Sequence, residues 1–303
     1  MLIMRNLKTT AGGVSFENPL ILASGILDEN GYTIKRILEE GSGGAVTKSI
    51  GMEERDGYMP PVVVEHENYI INAMGLPNPG IENFGEEIKI ARTAGKPIIG
   101  SIYAADPEGF LNLAEKMVDY GVQAIELNLS CPHVKGFGTE VGSDPVLVKE
   151  IVKTLKGSID IPIWSKLSPN VTSIVDIGRA ASDSDGIVLI NTVRAMAIDI
   201  YARKPVLKNT YGGMSGSSIK PVGIRMVYEI KKELGLNIIG VGGIESAEDA
   251  IEYIMAGASA VQIGTAVWKY GRNIFSTINS GISKFMEDNG YENISKMTGV
   301  AVQ

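Results

Sequence analysis

Two lysines and one cysteine are the side chains of this sequence best placed to do chemistry. Lys48 and Lys166 each project from an apolar run of the chain, where an unpaired ammonium group would be costly to bury. Either lysine could be the salt-bridge partner of an interior Asp or Glu. Taken together, the two lysines indicate a site for anionic groups, such as the carboxylate of a ligand and a cofactor ring that becomes anionic.

Cys131 is the only cysteine among the 303 residues. Most such cysteines are small buried hydrophobes. Here Pro132 forces the cysteine toward an extended backbone, and the glycine-rich segment 132–143 follows, with the composition of a mobile flap. A thiolate in this setting can act as a base or a nucleophile. Because neighbours on an extended chain point to opposite sides, His133 is not predicted to form a dyad with Cys131.

Glycines follow the last two apolar runs, at Gly242, Gly243 and Gly264, and Thr265 comes next. Helices open behind them, so backbone N–H groups could converge on one phosphate. The alternative is that these glycines only permit tight turns. Their paired occurrence favours a phosphate site.

The elements that must position these residues alternate between β-branched apolar runs and segments of helical period, as in βα units around a parallel sheet. The predicted strands are 20–23, 44–48, 97–102, 124–129, 162–167, 186–190, 237–241 and 259–263. The predicted helices are 32–40, 84–94, 108–120, 145–155, 172–182, 221–233, 247–256 and 273–289. Eight such pairs predict an α/β protein, a (β/α)₈ TIM barrel that forms a single domain over residues 1–303.

A doubly wound open sheet is the less favoured architecture, because no G-x-G-x-x-G motif follows a predicted strand. The segment 240–245 comes nearest but lacks the third glycine. Two excursions, 51–82 and 191–219, are longer than a barrel needs. We expect them to form loops or small hairpins that cover the C-terminal face, where barrel enzymes keep their active sites.

Composition excludes several classes of function. With 35 acidic and 28 basic side chains the net charge is −7, which argues against nucleic-acid binding as the main task. One cysteine and two histidines cannot build a disulfide framework, a structural zinc site or an iron–sulfur cluster. No segment reaches about 18 consecutive apolar residues, and no signal peptide is recognisable. We therefore expect a cytoplasmic protein without a metal site.

Several motifs, in order along nearly the whole chain, give a specific resemblance. They are ASG (23–25), TKS (47–49), NAMGLPNPG (72–80), NLSCP (128–132), KLSPNVT (166–172), NT (191–192), GMSG (213–216), IKP (219–221), GG (242–243) and GT (264–265). In these motifs the chain resembles the family 1 dihydroorotate dehydrogenases, and most closely the catalytic subunit of class 1B.

The resemblance implies an FMN enzyme that oxidises (S)-dihydroorotate to orotate in pyrimidine (UMP) biosynthesis. Cys131 would remove the C5 proton while hydride passes from C6 to the flavin N5, and Lys166 would stabilise the reduced flavin. The residues expected to bind substrate are Lys48, Asn72, Ala73, Met74, Gly75, Leu76, Asn128, Asn191 and Thr192. Those expected to bind FMN are Ser24, Lys48, Ser49, Ser101, Asn128, Lys166, Ile190, Gly216, Gly242, Gly243, Gly264 and Thr265.

Some positions depart from the family pattern. His133 stands where Asn is usual, and Ser101 replaces an Asn that contacts the flavin. Segments 128–133 and 210–213 also resemble the pyrimidine-reducing domain of dihydropyrimidine dehydrogenase, which makes a uracil or thymine reductase the alternative. The segment 72–76, which would cover the substrate, favours dihydroorotate.

Two alternatives need no flavin. One is a non-redox aldolase or isomerase that binds a phosphorylated substrate and forms a Schiff base on Lys166. The other is a phosphate-ligand binder without activity. Neither gives a task to Cys131 or to segment 72–80.

The resemblance also bears on the electron acceptor. Class 1B members pass electrons to an iron–sulfur, FAD-containing subunit that reacts with NAD, whereas class 1A members use fumarate. The segment RKPVL (203–207) resembles class 1B, and this chain lacks cluster ligands and a dinucleotide motif. We therefore expect a partner subunit around a homodimeric core, giving a heterotetramer.

Overall fold

The computed structural model of the chain describes residues 6–129 and 139–303. Eight parallel strands close into a barrel in which each strand pairs with the next along the chain and the last pairs with the first. These strands are β1 (Leu20–Leu22), β2 (Gly44–Val46), β3 (Ile98–Ile102), β4 (Ala124–Asn128), β5 (Ile163–Leu167), β6 (Gly186–Leu189), β7 (Ile238–Val241) and β8 (Ala258–Ile263). The predicted (β/α)₈ barrel is confirmed.

Helices surround the barrel and pack their apolar faces against it. The main helices are α1 (Gly31–Glu39), α2 (Gly85–Arg92), α3 (Pro107–Asp119), α4 (Pro145–Lys156), α5 (Ile174–Ala180), α6 (Lys220–Leu234), α7 (Ala247–Met255) and α8 (Ile274–Asp288). Two short helices, Thr139–Gly142 and Thr265–Tyr270, precede α4 and α8. Within the two described stretches of chain, no helix is long and apolar enough to cross a membrane.

Side-chain caps fix where several helices begin. The Asn30 side chain accepts hydrogen bonds from the N–H groups of Tyr32 and Thr33 at the start of α1. At the start of α7, Ser246 and Asp249 form a capping box in which each side chain accepts from the other's backbone N–H. Because the first N–H groups of a helix lack internal partners, these side chains set the helix boundaries close to the strand ends.

The inside of the barrel is apolar toward the N-terminal ends of its strands. Side chains alternate between the interior and the helical layer, as in other barrels. The interior apolar cluster contains Ile21, Val46, Ile99, Ala124, Trp164, Val188, Ile239 and Ala260. A hairpin of Thr9–Ala11 and Val14–Phe16 closes this end, and the Trp164 indole donates to the Gly12 carbonyl at 2.8 Å. The polar interior positions therefore lie toward the opposite, C-terminal end.

The two long excursions combine into one structure above the barrel. Four antiparallel strands form a sheet in the order Val193–Ala195, Gly212–Ser215, Ile70–Asn72, Val63–Glu65. The central pairing joins the two excursions, with Gly213 opposite Asn72. Strands Ile198–Asp199 and Lys204–Pro205 form a further small hairpin. The prediction of hairpins was correct in kind, but the sequence pattern did not show that the two excursions share a sheet.

Candidate active site

A cavity of about 600 Å³ opens at the C-terminal ends of the barrel strands, beneath the four-stranded sheet. Its size is typical of a site for a cofactor or a drug-sized ligand. Residues at or just beyond the ends of seven barrel strands line it, and both excursions contribute to its walls. The predicted site residues that line it are Ser24, Lys48, Ser49, Asn72, Met74, Gly75, Leu76, Asn128, Lys166, Ile190, Asn191, Thr192, Gly216, Gly242, Gly243, Gly264 and Thr265.

Two predicted site residues of the described chain, Ala73 and Ser101, do not line this cavity. Ala73 is fully buried and packs with Ile71 and Leu207. Ser101 is fully buried behind Ser49, with 2.8 Å between the two hydroxyl oxygens. Cys131 lies outside the described residues, as does His133.

A short hydrogen-bonded chain of polar groups runs along one side of the cavity. The Ser49 hydroxyl lies 3.3 Å from the Ser24 hydroxyl and 2.8 Å from that of Ser101. The Asn128 amide donates to the Ser49 oxygen at 3.0 Å. Because three partners surround the Ser49 hydroxyl, its position is fixed, and Ser101 acts on the cavity through Ser49.

Lys48 reaches the cavity from just beyond β2, with a side chain that is 10% exposed. Its ammonium nitrogen lies 3.0 Å from Oε1 of Glu29, whose side chain is 66% exposed. Next to this pair, burial raises the pKa of the Asp28 carboxyl, an effect opposed by the Lys48 charge and by hydrogen bonds from backbone N–H groups. The positive charge of Lys48 at the edge of the cavity is therefore paired with the carboxylate of Glu29, which lies largely in solvent.

Lys166 is paired inside the barrel. Its ammonium nitrogen lies 3.3 Å from Oε1 of Glu126 and donates to Oε1 of Gln262, also at 3.3 Å. The Gln262 amide nitrogen in turn donates to Oε2 of Glu126 at 2.6 Å. The prediction that a lysine could pair with an interior carboxylate is thus correct for Lys166, whereas Lys48 pairs with the largely exposed Glu29.

Glu126 and Gln262 are cavity residues that the sequence interpretation missed. The residues predicted for the site stand near strand ends, whereas these two lie one inward-facing position deeper, two residues before Asn128 and Gly264. The signal was available, since a charged residue within the predicted strand 124–129 stands at the same alternate phase as Asn128.

The turns after β7 and β8 form the other end of the cavity. Gly243 has a φ of +70°, and a Cβ there would lie 2.7 Å from the Gly216 carbonyl oxygen. The Thr265 hydroxyl lies 2.8 Å from the Ser215 hydroxyl, which joins the turn after β8 to the second excursion. The Tyr253 hydroxyl, on α7, donates to the Gly242 carbonyl at 2.7 Å. Only glycine fits this packing at position 243, and the backbone of this turn borders the cavity.

The cover segment around Leu76 is anchored on both sides. Arg55 donates to the Gly75 carbonyl at 2.7 Å. The buried Asn78 amide donates to the Leu76 carbonyl at 3.0 Å and to the Tyr103 hydroxyl at 2.8 Å. These contacts hold the segment over the cavity with its backbone in place, including the left-handed φ of +56° at Leu76.

Comparisons with known proteins point to one family. The family model described as "Dihydroorotate dehydrogenase" matches residues 6–286. The chain is 61% identical over 300 residues to a protein of Thermoplasma volcanium, with 99% of this chain and 100% of the relative covered. It is 48% identical over 298 residues to one of Pyrococcus furiosus, with 98% and 99% covered. Both relatives carry the name "Dihydroorotate dehydrogenase B (NAD(+)), catalytic subunit".

Proposed function

This chain belongs to the dihydroorotate dehydrogenase family. We propose that the cavity at the C-terminal end of the barrel is the site where dihydroorotate is oxidised to orotate. The chain is an oxidoreductase of pyrimidine biosynthesis and a class 1B catalytic subunit. The activity of this family implies a flavin cofactor. The observation that carries the proposal is the single cavity that Lys48, three amide side chains and Lys166 all border. An ammonium group and amides suit a ring that bears a carboxylate and cyclic amides.

The residues at the floor and at the glycine end of the cavity fit FMN. At position 243 the packing leaves no room for a Cβ, and the backbone after β7 and β8 borders the cavity. Gly242, Gly243, Gly264 and Thr265 would hold the phosphate. Ser24, Ser49, Asn128, Lys166, Ile190 and Gly216 would hold the ring and its side chain, with Ser101 acting through Ser49. Bound FMN would supply the hydride acceptor.

Lys48 would bind the carboxylate of the substrate. Its present partner, Glu29, is mostly exposed and can be displaced. The amides of Asn72, Asn128 and Asn191 would meet the carbonyl and N–H groups of the pyrimidine ring, because an amide can both donate and accept. Thr192, Met74, Gly75 and Leu76 would complete the substrate site, whereas the buried Ala73 does not line it. The anchoring of the cover segment by Arg55 and Asn78 supports a cover that orients the substrate and excludes water.

Cys131 is the proposed base that removes the C5 proton of the substrate. The proposal rests on the family motif NLSCP and on the position of Cys131 three residues after the cavity residue Asn128. A thiol has an ordinary pKa of about 8.5, closer to ambient pH than that of a carboxyl group. Its thiolate is therefore a suitable acceptor for the proton of a weakly acidic C–H bond.

A partner subunit belongs to the activity, since the relatives are named as catalytic subunits of an NAD-dependent enzyme. We propose that the partner is an iron–sulfur flavoprotein with FAD, joined to a homodimer of this chain in the cytoplasm. The single cysteine of the sequence supports this division of labour, since this chain cannot ligate a cluster by itself. Copurification of an iron–sulfur flavoprotein with this chain from its native source would test it.

The proposed function is tested by anaerobic reduction of the purified holoenzyme. The protein should be yellow, and dihydroorotate should bleach its flavin absorbance, whereas dihydrouracil should not. A colourless folded protein without affinity for FMN would overturn the cofactor assignment. Bleaching by dihydrouracil and not by dihydroorotate would instead favour the uracil or thymine reductase.

A further inference from the structure

Three polar side chains lie just above the apolar interior of the barrel. Glu126 on β4, Lys166 on β5 and Gln262 on β8 all border the cavity from below, and Glu126 is fully buried. Two residues before each of them on the same strand stand Ala124, Trp164 and Ala260, which form part of the apolar interior. The three polar residues therefore form one side of the layer between this apolar interior and the cavity.

The contacts within this triad hold the Lys166 ammonium from two sides. Glu126 and Gln262 each place an oxygen 3.3 Å from it, and Gln262 also donates to Glu126 at 2.6 Å. Oε1 of Glu126 accepts no hydrogen bond from the described residues, so the lysine charge is its compensation there. The arrangement fixes the lysine and offsets its charge with that of one carboxylate.

Stability alone does not account for such a triad. A buried ion pair is costly to desolvate, and apolar residues of similar volume are often as good or better for stability. Apolar residues already fill the neighbouring interior positions of the same strands. The charges at the cavity floor therefore indicate an electrostatic interaction with the ligand that the cavity binds.

We propose that Glu126 is a positioning residue that, with Gln262, holds Lys166 at the cavity floor and reduces the positive charge that Lys166 presents to the bound flavin. The inference rests on the proposed FMN site and adds to it a residue that sets the reduction potential of the flavin. A positive charge close to the ring favours the reduced, anionic form, and a carboxylate behind the ammonium weakens that effect. Glu126 thus acts through Lys166 and does not itself touch the reacting atoms.

The test is the reduction potential of the FMN-loaded protein, measured by equilibration with reference dyes. Glu126→Gln keeps the shape and an oxygen acceptor but removes the negative charge, so the potential should shift to a more positive value. In a Lys166→Met background the same substitution should cause no shift, because Glu126 then has no ammonium group to position or to offset. Ser165→Ala is the matched control, since Ser165 lies on β5 but bonds Ser184 on the helix-facing side, and it should leave the potential unchanged.

Three results would overturn the inference. They are an unchanged or more negative potential in Glu126→Gln, an equal shift with and without Lys166, and a shift of the same size in Ser165→Ala. If Glu126→Gln alone does not fold, Lys166→Met is compared with Lys166→Met/Glu126→Gln, and different potentials in these two proteins contradict the inference. Failure of the wild-type protein to bind FMN would count against the proposed function, before any variant is compared.

Discussion

The ammonium nitrogen of Lys48 lies 3.0 Å from Oε1 of Glu29, so a cation at the mouth of the cavity is paired with a carboxylate that is largely in solvent. If Lys48 binds the substrate carboxylate as proposed, this geometry places Glu29 in competition with it. Because the Glu29 carboxylate is largely solvated, we expect the pair to contribute about 1 kcal/mol or less, so displacing it costs little. Glu29 would then orient Lys48 in the free enzyme, and this ion pair would break when substrate binds.

Substitution of Glu29 by Gln should therefore strengthen substrate binding. We expect KM for dihydroorotate to fall by up to about fivefold, the equivalent of 1 kcal/mol, with little change in kcat. Steady-state kinetics at low ionic strength checks this. Glu39→Gln is the matched control, because Glu39 is similarly exposed but pairs with Lys35 on α1, and it should leave KM unchanged. A higher KM in Glu29→Gln would show that Glu29 assists binding instead.

Replacement of Cys131 by Ser should slow reduction of the flavin by dihydroorotate. A hydroxyl is a far weaker base than a thiol at neutral pH, and loss of a general base costs about 10²–10⁴-fold. The wild-type rate should rise with pH as the thiol ionises to the more basic thiolate, and the variant should lack this rise. Anaerobic stopped-flow absorbance measures both. Orotate affinity serves as the control and should be preserved, and an unchanged rate would remove Cys131 from its proposed role.

The fold was largely predictable from the sequence because its strands are short apolar runs buried on both faces. The predicted strand 259–263 corresponds to β8 at Ala258–Ile263, and the predicted helix 273–289 to α8 at Ile274–Asp288. Helix starts shifted where a cap was overlooked. Ser173 caps α5, so the helix begins at Ile174 and not at the predicted residue 172.

The site was predictable at the strand ends and less so elsewhere. The pairing of Asn72 with Gly213 joins segments about 140 residues apart, and no local pattern specifies such a contact. Glu126 was not predicted as a site residue because most residues of its strand are apolar, which gives the whole segment an apolar pattern. Its partner Lys166 was noticed, but which carboxylate meets it depends on the closure of the barrel.

Asp28 should make the stability of the protein depend on pH. Burial raises the pKa of its carboxyl above the ordinary value, so the folded state binds more protons than the unfolded state between the two values. The free energy of unfolding contributed by this group is therefore greatest below about pH 4 and falls as pH rises through the raised value. The Asp28→Asn variant has no carboxyl group at this position and does not lose stability in this way. The Tm of the variant minus the Tm of the wild type should therefore increase with pH.

Thermal unfolding of the two proteins across a pH series measures this difference. Asp183→Asn removes an exposed carboxyl and controls for the change in net charge, so its Tm difference should stay nearly flat. A Tm difference for Asp28→Asn that shrinks with rising pH would contradict the assigned direction of the pKa shift.

Gly243→Ala should weaken FMN binding by more than backbone strain alone explains. The added Cβ would lie 2.7 Å from the Gly216 oxygen and 2.9 Å from the Lys220 nitrogen, so either the turn after β7 or the segment 216–220 must move, and Gly243 and Gly216 both border the cavity. A non-glycine residue with positive φ costs roughly 1–2 kcal/mol by itself. Gly235→Ala isolates that cost, because Gly235 has a φ of +66° with no atom within 4 Å of the added Cβ.

Both variants should lose stability, but only Gly243→Ala should lose affinity for FMN, by about tenfold or more, the equivalent of 1.4 kcal/mol. Fluorescence titration of the flavin measures the affinity, and thermal unfolding of the protein without FMN measures the shared strain. Equal FMN affinity in the two variants would mean that the glycine serves the turn and not the ligand. That outcome would restore the simpler interpretation, in which the glycine pair only permits a tight connection between β7 and α7.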